Sequence, residues 1–123
     1  MSSVTVSVRG RQRSSEVLFV LNSTEVTQQQ AERIVAAFSK YRGNKLRDRM
    51  IELSTEGGNF AITATLDHPL NGSSFDHYLS LRFCAAVILE ELKPHPVRFR
   101  ADRDSLLLER MVTDINQILD MMS

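Results

Sequence analysis

The chain has 123 residues, 42% of them hydrophobic and 24% charged, which suits one folded domain and excludes disordered, collagen-like and coiled-coil classes. Fifteen basic and fifteen acidic residues cancel, so no global charge steers the chain toward nucleic acid or a membrane surface. The longest unbroken apolar run, Phe83 to Leu89, falls far short of the ~20 residues needed to cross a bilayer. Cys84 is the only cysteine and can form neither an internal disulfide nor a paired-cysteine metal clip. The first residues alternate instead of running apolar behind a basic segment, so no secretory signal is expected and the cytoplasm is the predicted location.

Val4, Val6 and Val8 alternate with Thr5, Ser7 and Arg9, the period-two pattern of a strand with one buried and one exposed face. Val17-Leu18-Phe19-Val20-Leu21 is apolar at every position and predicts a central strand buried on both faces. Thr27 with Gln30 three residues on, and Val26 just ahead, predicts a capped helix start. Ala31, Ile34, Val35, Phe38 and Tyr41 supply one apolar stripe, with Gly43 as a stop. Met50–Ser54 and Phe60–Leu66 read as two strands joined across Gly57-Gly58, whose glycines tolerate the positive φ of a hairpin turn. Ser73 or Ser74 can cap a helix that is apolar nearly all round and ends before Pro94. Val97-Arg98-Phe99-Arg100 is a short alternating strand. Asp102 or Asp104 can cap a last helix with a stripe of Leu108, Met111, Val112, Ile115, Ile118, Leu119 and Met122.

The predicted order ββαββαβα describes a single α+β domain over 1–123. Residues 15–100 taken alone read β-α-β-β-α-β, the ferredoxin-like split β-α-β core: an antiparallel sheet with helices packed on it, here with an extra N-terminal strand and a C-terminal helix. Such a sheet leaves one face open. Val17, Phe19 and Leu21 are expected on that face, with the surplus C-terminal helix as their cover; the alternative places that helix on the same side as the other two and leaves an exposed apolar sheet for a partner.

Twelve of the fifteen basic residues fall in three groups, around Arg9–Arg13, Lys40–Arg49 and Lys93–Arg103. The split topology brings the loops carrying most of them to one end of the sheet, so a basic end is predicted, with Glu25, Glu56, Glu90 and Glu91 toward the other. Part of that charge serves helix ends, edge protection and solubility. As a surface it suits a phosphate or an acidic partner.

Three histidines are present. His68 and His77 are placed near the basic end and His95 at the opposite one, so only the first two can meet. Two imidazoles with arginines would suit metal-free phosphodiester cleavage, one as base and one as acid. Asp67, His68, Asp76 and His77 lack the spacing that fixes metal geometry. Cys84 sits in an apolar stretch and reads as core, and no serine occupies a nucleophile elbow. Arg42-Gly43-Asn44-Lys45 follows a helix and lacks the rest of a phosphate loop, so no cofactor and no metal are expected.

Leu18-Phe19-Val20-Leu21-Asn22 is similar to the first-strand pattern of the RNA-recognition motif, and the helix from Thr27 to Tyr41 looks like its continuation. Gly57-Gly58-Asn59-Phe60-Ala61 keeps Phe60 at one stacking position of that motif, but has Gly58 where a second aromatic and Glu56 where a basic residue stand. The resemblance implies that Phe19 and Phe60 stack bases of a single-stranded RNA.

With no strong catalytic constellation, the expected function is non-catalytic: a small cytosolic protein of inhibitor, immunity-protein, adaptor or complex-subunit type that docks a protein partner. The predicted partner surface is Arg11, Arg13, Arg42, Lys45, Arg47, Arg100 and Arg103. Single-stranded RNA binding is the alternative and a His68/His77 phosphodiesterase the second. The leucines and methionines of the last helix, adaptable at contacts, leave room for a homodimer through it.

Overall fold

A computed structural model describes residues 3–10, 16–40, 51–65, 75–101 and 106–122, with the side chains of all of these but 75–80, 106–108 and 122. The alternating valines form β1 (Val4–Gly10) and the apolar run forms β2 (Glu16–Asn22). Thr27 caps α1 (Gln28–Ser39) reciprocally: its Oγ1 accepts from the Gln30 N–H at 3.1 Å, and Gln30 Oε1 accepts from the Thr27 N–H at 2.9 Å. Strands β3 (Glu52–Glu56) and β4 (Asn59–Thr65) close across Gly57 and Gly58. Their φ angles of 59° and 84° are what a two-residue turn between right-twisted strands requires. Helix α2 (Phe75–Leu92), β5 (Val97–Ala101) and α3 (Leu106–Met122) complete the chain. The predicted caps at Ser73, Ser74, Asp102 and Asp104, and the stop at Gly43, lie outside the described residues.

The fold is mixed α+β, with one five-stranded sheet and three helices. The strand order is β3-β4-β2-β1-β5, so the apolar β2 is central, as its composition requires. The sheet is not wholly antiparallel as predicted, because β1 and β5 run parallel. Nor is β1 an outlying addition: it lies between β2 and β5, pairing Val6 with Leu21 on one side and with Phe99 on the other.

All three helices share one face. α2 packs between α1 and α3, and α3 rests on β5 and β1. The face beneath them carries Val4, Val6, Val8, Val17, Phe19, Leu21, Ile62, Ala64, Val97 and Phe99 in one core with Ile34, Phe38, Ile88 and Met111. Two expectations are overturned here. Phe19 is 2% exposed and meets the ring of Phe38 of α1 edge-on, with centroids 5.9 Å apart, so Val17, Phe19 and Leu21 look toward the helices. The last helix therefore joins the other two instead of covering the second face. Packing explains the choice: Met111, Val112 and Ile115 continue the apolar layer beside α2, whereas the opposite face offers mostly polar side chains.

Candidate docking surface

The helix-free face is lined by the alternate residues of each strand: Arg98 and Arg100 of β5, Thr5, Ser7 and Arg9 of β1, Leu18, Val20 and Asn22 of β2, Ala61 and Thr63 of β4, Glu52 and Glu56 of β3. Its basic residues gather on β1 and β5 and its β3 residues include two glutamates. Arg9 reaches diagonally across β2 and β4 to Glu56, with Nη1 2.9 Å from Oε1 and Nη2 3.3 Å from Oε2. A contact between the first and last of four neighbouring strands requires the sheet to curve toward this side, as twisted sheets do along one diagonal. Val20 and Ala61, paired in register on that diagonal, are buried at 3% and 1% exposure. Beside the bridge lies a pocket of about 220 Å³ lined by Arg9, Gly10, Glu16, Leu18, Glu56 and Thr63.

A polar relay crosses the same face over four strands. Asn59 Nδ2 donates to Asn22 Oδ1 at 3.4 Å. Asn22 Nδ2 donates to Ser7 Oγ and to the Thr5 carbonyl, each at 2.9 Å. Arg100 Nη2 donates to Ser7 Oγ at 3.0 Å. Ser7 is 4% exposed, and these two donors fill the acceptor sites of its hydroxyl. Arg98, two residues from Arg100, is instead held by Asp120 of α3.

Of the seven predicted docking residues only Arg100 is described, and it is exposed on this face; Arg11, Arg13, Arg42, Lys45, Arg47 and Arg103 lie outside the described residues. The registers do locate the strand ends that flank them. Gly10 pairs with Val17, Glu16 with Thr65, Glu52 with Thr63, and Ala101 with Val8. The ends that lead into 11–15, 41–50, 66–74 and 102–105 thus stand together at one end of the sheet. At the opposite end Glu25 Oε2 lies 3.4 Å from His95 Nδ1. His68 lies outside the described residues, as does the side chain of His77. Among the described residues no group of three potential metal ligands occurs. No described helix is long and apolar enough to cross a membrane.

The stacking pair implied by the RNA-recognition motif does not form on the open face. Phe19 is in the core, and Phe60, paired with Leu21, is partly buried against that core. Cys84 is buried, and desolvation pushes its thiol pKa far above the ordinary range, which agrees with a packing role. The relay through Ser7, Asn22 and Asn59 was missed by sequence reasoning. The available signal was Asn22, a poor strand former closing an apolar strand.

No protein-family model matches the chain, and neither curated proteins nor solved structures show a significant match.

Proposed function

We propose that the chain is a non-catalytic protein-docking domain, of the inhibitor, immunity-protein, adaptor or subunit kind, working in the cytoplasm. It engages a partner through the helix-free face and the end of the sheet into which that face runs. The observation that carries this reading is the register: it gathers at one end the strand ends flanking Arg11, Arg13, Arg42, Lys45, Arg47 and Arg103, with Arg100 exposed beside them. Basic residues in the segments that those strand ends flank would favour an acidic partner and steer its approach. On this reading the sheet is a ferredoxin-like split β-α-β core into which the N-terminal strand has been inserted, and the insertion widens the open face by one strand.

The test is capture of the tagged chain's partner after nuclease treatment, in parallel with the double charge reversal R47E/R100E. Weakened capture with an unchanged melting temperature is expected. Equal capture by the reversed variant would remove this surface from consideration, and nucleic acid in place of protein, released steeply by salt, would move the function to the RNA reading. A second contact is favoured by one specific observation: Met121 is 85% exposed at the end of α3, on the same helix as Ile118 and Leu119, which line a shallow apolar groove with Ala86 and Leu89. There two copies of the chain would pair, and sedimentation of the Met121→Glu variant beside the wild type decides it.

A further inference from the structure

We propose that Ser7 and Arg100 form a seat for one carboxylate, an aspartate or glutamate side chain of the docking partner; the proposal rests on the docking reading above and names the chemistry recognised there. Among the described residues, three arginines occupy helix-free positions of the sheet, and two are already matched: Arg9 by Glu56 and Arg98 by Asp120. Arg100 is exposed, and among the described residues no carboxylate pairs with it; its bond goes to the neutral Ser7 hydroxyl. An arginine carries five N–H donors in a planar fork suited to a carboxylate, so one bond to Ser7 orients the fork and leaves the rest available.

Ser7 supplies the independent observation. Both of its side-chain hydrogen bonds among the described residues arrive from N–H donors, Asn22 Nδ2 and Arg100 Nη2. A hydroxyl that accepts two hydrogen bonds has used its acceptor capacity and retains one proton to give. Among the described residues nothing accepts that proton, although the residue is 4% exposed and a buried donor left unmade is costly. Arg100 Nη2 and Ser7 Oγ are 3.0 Å apart, so a carboxylate taken up by the fork would lie within reach of the spare hydroxyl donor. The relay from Asn59 through Asn22 holds the hydroxyl in place before anything binds, and such preorganisation lowers the ordering cost of binding. One cation and one hydroxyl match a singly charged carboxylate. A phosphate dianion would be left half neutralised on a face that also carries Glu16, Glu52 and Glu56.

The experiment titrates the ¹⁵N-labelled chain with N-acetyl-glutamate N-methylamide, its glutamine counterpart and inorganic phosphate, following the Arg100 Nε–Hε and Ser7 amide resonances. Saturable shifts are expected with the glutamate probe alone. They should be lost in R100Q, reduced in R100K, which keeps the charge but not the fork, and weakened about tenfold in S7A, which removes one hydrogen bond to a charged group. Shifts of equal size in R100Q, an equal response to the glutamine probe, or tighter binding of phosphate would overturn the seat. A captured partner that binds R100Q with undiminished affinity would also overturn it while leaving the docking reading intact. Glutamate binding lost in R100Q, in a chain that captures no protein, would support the seat and count against the docking reading.

Discussion

Phe19 occupies the position where a one-residue choice decides which face of the sheet is apolar. In a strand successive side chains point to opposite faces, and β2 is apolar at Val17, Leu18, Phe19, Val20 and Leu21, so composition alone allows either parity. The ring contact with Phe38 and the alignment with Val8 and Ile62 settle it. Phe19→Ala should therefore cost about 3–5 kcal/mol, as large-to-small changes of a buried aromatic do, seen as a lower urea midpoint with unchanged slope. A base-stacking ring would instead be lost at little cost in stability. Cys84 makes a second statement at this scale. Because burial raises its pKa in the folded chain, the thiol should resist iodoacetamide until the protein is unfolded. The sign of the linkage follows: above the ordinary thiol value of 9.0 the unfolded chain ionises first, so this group's contribution is present below that pH and declines as pH rises past it.

At the scale of elements, local signals were legible where the physics is local. The Thr27–Gln30 capping box, the Gly57-Gly58 turn and the end of α2 before Pro94 each depend on residues a few positions apart, and each forms where predicted. Gly57→Ala should cost roughly 1–2 kcal/mol, since φ of 59° is a left-handed conformation that a Cβ disfavours. The position of β1 was not legible, because nothing within Val4–Gly10 states that its second neighbour is β5; that pairing depends on residues more than ninety positions away. The role of Asn116 was hidden for the same reason. Its side chain accepts from the Phe99 N–H at 3.1 Å and donates to the Phe99 carbonyl at 2.7 Å, so α3 satisfies the backbone of an edge strand that would otherwise invite another chain. Asn116→Ala should lose about 1–3 kcal/mol, with hydrogen exchange at the Phe99 amide accelerating more than at the Val6 amide in the sheet interior.

Across the whole molecule, three helices on one face leave the other to polar groups drawn from all five strands. The Arg9–Glu56 bridge crosses that face, but its partners are 39% and 45% exposed, so solvent screens it and a double-mutant cycle should give less than about 1 kcal/mol. The bridge shapes the surface more than it holds the fold. Of the predicted docking surface, the convergence of strand ends was legible from the order of elements, whereas the seat at Ser7 and Arg100 needed the β1–β5 register. Cross-saturation NMR on the ¹⁵N-labelled chain bound to its captured, unlabelled partner measures directly which side of this molecule the partner occupies. The helix-free face should respond, with Thr5, Ser7, Asn22 and Arg100 among the most attenuated amides. Attenuation centred on Leu89, Ile118, Leu119 and Met121, with the sheet face silent, would contradict it and place the partner between α2 and α3.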